Sequence, residues 1–595
     1  MTESPAPDTM QLGDFTATRR MLLLAAIAIG IGVIASYVAL ALLKLIALFT
    51  NLFYFHEASF ATTSPANHTL GLVAVVVPVA GALVIGLMAR YGSERIRGHG
   101  IPEALEAILV NGSRVDPKVA ILKPISSAIS IGSGGPFGAE GPIIMTGGAF
   151  GSIIAQLVSL TSAERKTLLV AGAAAGMSAT FATPLAAILL AVELLLFEWK
   201  PRSFVPVALA SATAAIARQF IIGPGPLFPV APHAAFAGVE VLVCCVAAGL
   251  GAGGLSALLT YAVYAAEDAF KRLPIHWMWW PLFGGLAIGL GGLVAPRALG
   301  VGYDVIGDIL NESMVPRVVL TLVVVKGLIW SISLGSGTSG GVLAPLLMMG
   351  GALGGLEAHA FPDAGLGFWP LIGMGAILGG TMRSPLTGIV FAVELTHDMN
   401  MFLPLVVAVT VAHAFTVLVL RRSILTEKVA RRGFHVSREY AIDELEILFA
   451  RDAMNTEVVI LPATGTVQDA LAMIPAPRDE KSQHLFPVCD DTANLVGAVS
   501  YSALHGAPTR TVAELIDPAP FTIFSNETLR TAVHRMAELG ITRLLVVNPA
   551  DHRKLVGKLA LHDVLKARVH HLDQERRRER VLPWEYLLPR WLRSP

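Results

Sequence analysis

Six stretches of this chain, 21–43, 143–163, 167–192, 241–266, 327–356 and 399–420, contain no Asp, Glu, Lys or Arg. Each reaches the ~20 apolar residues needed to cross a bilayer, which removes an ordinary soluble fold from consideration. The chain as a whole agrees: only 15% of its 595 residues are charged, against roughly 25% in soluble domains. Several runs contain Gly or Pro, so some membrane helices are expected to be short or broken. Non-helical backbone at that depth is tolerated only where protein buries it or a watery cavity receives it. The first run follows Arg19 and Arg20 and continues past residue 40 without a small-residue cleavage site. This predicts an anchor with a cytoplasmic N-terminus. The basic cluster at 421–433 predicts the same side for the end of the membrane part, and the plasma (inner) membrane is the expected location. A net charge of zero offers no footprint for nucleic acid. Cys244, Cys245 and Cys489 suggest neither a disulfide framework nor a metal site.

The membrane part repeats itself. Gly132-Ser133-Gly134 answers Gly335-Ser336-Gly337 (335 − 132 = 203), and the same shift brings Gly138 onto Gly341 and Pro142 onto Pro345. Residues 183–194, TPLAAILLAVEL, match 384–395, SPLTGIVFAVEL, at a shift of 201. Duplicated halves with matching broken segments are characteristic of transporters, whose half-helix N-termini meet near the midplane around a substrate. The expected halves are about 20–220 and 236–433, inverted if each crosses an odd number of times. A cytoplasmic segment (1–19) precedes them. After a linker (434–446) the composition turns soluble, with two similar units at 447–508 and 509–570 and a charged tail at 571–595.

Three places combine Gly-x-x-x-Pro with the start of an apolar helix: 98–102 (GHGIP), 138–142 (GAEGP) and 341–345 (GVLAP). Proline suits a first helical turn, where its missing N–H had no partner, and glycine lets backbone amides approach a ligand. Helix N-termini in a bilayer present unpaired donors and partial positive charge, the makings of an anion site without a full countercharge. Such a site releases as well as captures, which conduction requires. Packing kinks between close helices are the rival explanation; three equal spacings inside duplicated halves favour an ion pathway.

These residues resemble the anion-site motifs of the CLC chloride channels and transporters: GHGIP against Gly-Ser-Gly-Ile-Pro, GAEGP against Gly-Lys/Arg-Glu-Gly-Pro, GVLAP against Gly-x-Phe-x-Pro. RSILTEKVARRG (422–433) resembles the end of that family's last membrane helix, and the soluble units resemble its paired CBS domains. The resemblance implies an all-α polytopic membrane protein with two inverted repeats and broken helices, followed by an α/β tandem CBS domain. It implies a homodimer in the lipid bilayer, joined through membrane and CBS domains, with an anion pathway in each subunit. The implied anion contacts are His99, Gly100, Ile101, Gly138, Ala139, Gly141, Gly341, Val342, Leu343, Ala344 and Leu425.

Glu140 is the one carboxylate in these breaks, and the 203 shift aligns it with Leu343. The turn therefore does not need an acid, and a buried ionisable residue in a membrane is a functional hypothesis by default. An ionised Glu140 is a tethered anion able to compete for the same amides; protonation would free it to swing away. That resembles the family's gating glutamate. Glu193 and Glu394, at equivalent repeat positions, predict instead a shared structural bond. Lys123 is a candidate vestibule cation that concentrates anions, with a snorkelling lysine as the alternative.

The chain departs from the family in several places. Leu194 stands where exchangers commonly carry an inner proton-relay glutamate, which favours an uncoupled, voltage- or pH-gated chloride channel over a proton-coupled antiporter. His99 replaces a serine and Leu425 a tyrosine, so both usual hydroxyl donors are absent; His99 offers a ring N–H or, protonated, a full charge. In the CBS units the Gly-x-x-Thr/Ser-x-x-Asp signature of adenine-nucleotide binders survives by halves, Ser500 in one and Asp563 in the other. An intramembrane hydrolase built on Ser133 or Ser336 with His99 is opposed by the duplication of both serines. A cation transporter would need acidic ligands that the charge-free runs lack.

Overall fold

The computed structural model describes residues 20–234, 238–433, 445, 448–474, 483–490, 494–506, 510–517 and 520–567. The expected N-terminal segment, the charged tail and all of the linker except Leu445 lie outside these residues. Two units are present, one ending at Arg432 and one beginning at Gly433.

Among the described residues the membrane unit holds eight α-helices, their eight counterparts in the same order, and one further α-helix, besides short 3-10 and π turns. The first half holds α1 (Arg20–Tyr54), α2 (Val76–Tyr91), α3 (Ile101–Leu109), α4 (Pro117–Gly132), α5 (Glu140–Leu157), α6 (Ser162–Phe181), α7 (Pro184–Leu190) and α8 (Pro201–Ile221). The second holds α9 (Val239–Lys271), α10 (Trp280–Val294), α11 (Tyr303–Leu310), α12 (Pro316–Gly335), α13 (Leu343–Glu357), α14 (Phe368–Met382), α15 (Pro385–Thr396) and α16 (Phe402–Val419), and α17 (Ile424–Arg431) closes the unit. Packing partners repeat as well: α5 lies on α6 as α13 lies on α14, and α1 on α8 as α9 on α16.

Local chemistry explains the breaks. Helices α4, α7, α8, α12 and α15 all begin on proline, the residue that loses nothing at a first turn. Asp116 caps α4 by accepting from the Lys118 amide, and Thr161 and Glu164 cap α6 reciprocally. Among the described residues seven helical stretches are long and apolar enough to span a membrane, whereas α13, α14 and α15 are shorter. Helix α14 is buried throughout, and α13 and α15 over most of their lengths. Glycine makes their close packing possible: a Cβ on Gly147 would strike the Gly172 carbonyl and one on Gly172 the Gly147 carbonyl, and Gly350 and Gly373 repeat that mutual approach in the second half.

The second unit contains two three-stranded sheets of identical order, β1 (Leu461–Pro462), β2 (Leu485–Cys489), β3 (Leu495–Ser500) and β4 (Thr522–Phe524), β5 (Arg543–Val547), β6 (Leu555–Ala560). In each, the first pairing is parallel, the second antiparallel, and Gly497 and Gly557 stand opposite Val488 and Val546. The cores do not divide as the sequence does. Ala450, which opens the first repeat, packs among Ile523, Leu529 and Leu544, while Val512, which opens the second, packs among Leu461, Phe486 and Val499. Each unit thus lends its opening segment to the other's sheet.

Candidate functional site

The three glycine–proline breaks meet. Gly138 and Gly341 exchange both backbone hydrogen bonds, the Gly138 amide donating to the Gly341 carbonyl at 3.1 Å and the Gly341 amide to the Gly138 carbonyl at 2.8 Å. The Gly98 amide donates to the Thr338 carbonyl at 3.0 Å and the Gly340 amide to the Gly98 carbonyl at 3.4 Å. Closer still, a side chain on Gly141 would collide with the His99 carbonyl, and one on Gly100 with the Gly141 carbonyl. The glycines are therefore required by backbone contact between turns, and Gly98 and Gly100 additionally hold φ of +87° and +92°. Helices α3, α5 and α13 start from this knot with Ile101, Glu140 and Leu343.

Glu140 is fully buried in the knot. Its Oε1 accepts from the Ala344 amide in the first turn of α13 at 3.1 Å, while Oε2 has no hydrogen-bond partner among the described residues. A Cβ on Gly341 would lie 2.6 Å from that oxygen. An ionised carboxylate here meets the unpaired donors and positive end of the opposite half's helix, the environment that suits a free anion. The other expected contacts gather around it: Ala139, Val342, Leu343 and Ala344 are buried beside Gly138, Gly141 and Gly341.

His99 is 2% exposed, and its Nδ1 makes no hydrogen bond among the described residues. It is therefore not pinned through that atom into its own loop. Leu425 is buried in the first turn of α17, whose start is anchored by the Tyr264 hydroxyl donating to the Ile424 carbonyl. Helix α17 is tied to α3 by Lys428, whose ammonium meets Glu103 at 2.7 Å while the Glu103 Oε2 accepts from the Gly100 amide at 2.8 Å.

Lys123 requires a correction: neither a solvent-reached vestibule nor snorkelling describes it. It is fully buried and donates to the carbonyls of Ile96 (2.8 Å) and Gly98 (2.7 Å) and to the Ser339 hydroxyl (3.1 Å). It braces the 96–99 turn from behind by donating to its inward-facing carbonyls, sharing that of Gly98 with the Gly340 amide. Lys326, missed in the sequence reading, sits 203 residues on (326 − 123 = 203), equally buried, and donates to the Gly300 carbonyl at 2.9 Å. The repeat shift was the available signal.

Glu193 and Glu394 form the shared structural bond. Glu193 accepts from the amides of Leu386 (3.1 Å) and Thr387 (2.8 Å) at the start of α15, and Glu394 from those of Leu185 (3.0 Å) and Ala186 (2.8 Å) at the start of α7. Leu194 beside it is fully buried. The Ser133 and Ser336 hydroxyls each donate to the carbonyl three residues back, at 3.1 and 2.7 Å. In the second unit, Ser500 accepts from the Ala503 amide at 3.2 Å and Asp563 from the Ala560 amide at 2.9 Å, so both hold local turns. Asp563 also lines a cavity of about 550 Å³ with Asp452, Glu457 and Lys566.

Comparison with known proteins agrees with this architecture. The sequence model described as Voltage gated chloride channel matches residues 80–417, more than half of the chain. The chain belongs to the CLC family. CBS domain matches follow at 450–507 and 512–570. Among CLC relatives, a putative chloride channel protein ClcB-like of Ralstonia nicotianae is 31% identical over 345 residues, covering 56% of this chain and 80% of that protein. The H(+)/Cl(−) exchange transporter ClcA of Citrobacter koseri is 32% identical over 352 residues, covering 56% and 73%. Two solved structures share the fold. A slow cyanobacterial Cl−/H+ antiporter superposes with a TM-score of 0.61 at 22% identity over 70% of this chain and 99% of its own. A eukaryotic CLC transporter gives 0.60 at 19% identity over 91% and 98%. As a CLC protein with long apolar helices, the chain is an integral membrane protein of a chloride-transporting family.

Proposed function

We propose that this chain carries chloride or a similar small anion across the membrane, by a pathway through the knot of residues 98–102, 138–142 and 341–345 that Glu140 gates. The observation that carries the reading is the Glu140 carboxyl on the Ala344 amide at 3.1 Å: one half's acid occupies the helix start where the other half would hold an anion. Ionised Glu140 plugs the site; protonated, it gives up its attraction for those donors and leaves. The contacts would come mainly from amides of 341–345 and 138–141, with His99 beside them and Leu425 as an apolar inner boundary. We place the protein in the plasma (inner) membrane, as a homodimer with cytoplasmic termini, acting as a transporter and not an enzyme.

Two modes fit this gate. Buried Leu194 offers no proton relay, which favours uncoupled conduction. The ClcA relatives, named as H(+)/Cl(−) exchangers, favour coupled antiport, with protons taking another inward route. Chloride and proton fluxes measured together on reconstituted liposomes separate them: chloride-driven proton uptake at a fixed ratio establishes antiport, and its absence conduction. Glu140→Gln tests the gate in either mode. It should give a chloride leak with little pH dependence, and an unchanged pH profile would overturn the proposal. For the CBS units, an adenine nucleotide is the ligand class to test; Asp563 is its candidate contact, and binding would appear as a shift in thermal unfolding with ATP or AMP.

A further inference from the structure

Tyr303 opens α11 as Ile101 opens α3, 202 residues earlier (303 − 101 = 202). The turns before them correspond: Gly98-His99-Gly100 and Gly300-Val301-Gly302, with φ of +87° and +92° in the first and +66° and +78° in the second. Each is braced by a buried lysine at the same repeat position, Lys123 on the Gly98 carbonyl and Lys326 on the Gly300 carbonyl. The second half therefore builds its own version of the turn that brings His99 and Ile101 to the knot, and the side chain it delivers there is a phenol.

The ring is fixed edge-on between Phe181 and Phe228, at centroid distances of 6.3 and 6.0 Å. The Tyr303 hydroxyl and the Glu140 carboxyl are close enough to interact. The buried hydroxyl has no hydrogen-bond partner of full geometry among the described residues, and neither has Oε2 of Glu140. Two unsatisfied buried groups of complementary chemistry, one a donor and one an acceptor, are thus neighbours, an arrangement that is costly unless they pair. The chain also lacks a hydroxyl at 99 and at 425.

We infer that Tyr303 is a positioning residue of the gate: its O–H donates to Oε2 of ionised Glu140 and holds the carboxylate over the α13 amides. The inference rests on Glu140 being the gate. Of the other charged groups, Lys326 on α12 lies near the same carboxyl, with Asp304 of α11 beside it, and Lys123, Glu103, Lys428 and Arg432 lie around His99 on the neighbouring turn. Removal of the Tyr303 oxygen leaves all of them in place.

The test uses the full-length protein in liposomes, with chloride efflux followed from pH 4 to 9. Tyr303→Phe keeps the ring packing and removes the donor. Because a hydrogen bond to a charged group is being lost, the pH of half-maximal efflux should rise by about one unit. In a Glu140→Gln background the same substitution should change nothing further. Incorporation of 3-fluorotyrosine at 303, a stronger donor, should move the midpoint downward, and this keeps the inference testable should Tyr303→Phe fail to assemble. Coincident midpoints for Tyr303→Phe and wild type, or an equal effect of the substitution with and without Glu140, would overturn it. If Glu140→Gln itself leaves the profile unchanged, the gate reading falls and this inference with it; if only the tyrosine variants are silent, the gate reading stands alone.

Discussion

Gly138 and Gly341, related by the 203-residue repeat, are hydrogen-bonded to each other through both amides. A residue pairing with its own repeat counterpart lies on the pseudo-twofold axis between the halves, so the site is built where the two inverted copies touch. A Cβ on Gly138 would first meet the Glu140 carboxyl, the end of a flexible side chain, whereas one on Gly141 would meet the His99 backbone. Gly138→Ala should therefore dislodge the carboxyl and raise chloride efflux at neutral pH by about tenfold, the scale of one lost charge-assisted hydrogen bond. Gly141→Ala should prevent assembly, seen as loss of the folded peak in size-exclusion chromatography. A silent Gly138→Ala would count against the carboxyl resting where it is described.

The two AVEL glutamates predict a stability effect. Glu193→Ala or Glu394→Ala strands two helix-start amides in a partly buried setting, at a cost of about 1 kcal/mol each. Thermal unfolding in detergent should show both losses, while the pH profile of the surviving flux stays that of the wild type. A changed profile in Glu193→Ala would instead implicate this carboxylate in proton transfer.

Buried lysines brace the turns in each half, and their removal should be felt differently from the loss of a surface charge. Lys123→Met takes this donor from the Ile96 carbonyl and leaves the Gly98 carbonyl with the longer Gly340 contact, a destabilisation of about 1–3 kcal/mol. It also removes a cation close to the site, so chloride affinity measured by calorimetry should fall in the same variant. Unaltered melting and unaltered affinity together would show that the turn stands without it.

Cys489 at the end of β2 is buried, and burial with Asp490 beside it raises its thiol above the ordinary range. It should resist maleimide at pH 8 in the folded protein and react promptly in denaturant. The sign for stability follows: this thiol's contribution is complete below its unfolded range near ~8.5 and is lost as pH climbs through the raised folded value. Rapid labelling under native conditions would place the side chain outside the core.

The duplicated architecture was legible because glycine marks it. Where two backbones touch, as at Gly147 with Gly172 or Gly350 with Gly373, no other residue fits, so the contacts leave a print in both halves at nearly one shift. Glu193 and Glu394 were readable for the same reason. Lys123 was misplaced because a lone lysine in an apolar helix gives no sign of inward-facing carbonyls; its match with Lys326 holds the clue, although the residues around it, 119–125 against 322–328, otherwise differ. Tyr303 was invisible, since its neighbour Glu140 comes from the other half and no motif spans them. The exchange of Ala450 and Val512 between CBS cores was hidden too, because swapping equivalent segments leaves each unit's hydrophobic pattern unchanged.

The crossed carboxylates set a timetable for biosynthesis. Leu185 and Ala186 leave the ribosome with bare amides, and the oxygen atoms meant for Leu185 follow 209 residues later on Glu394. At ordinary translation speeds that is a delay of roughly 10–40 s. Throughout it, the nascent first half must sit in the insertion machinery or the lipid with an unfinished helix start, waiting for its other copy to be made.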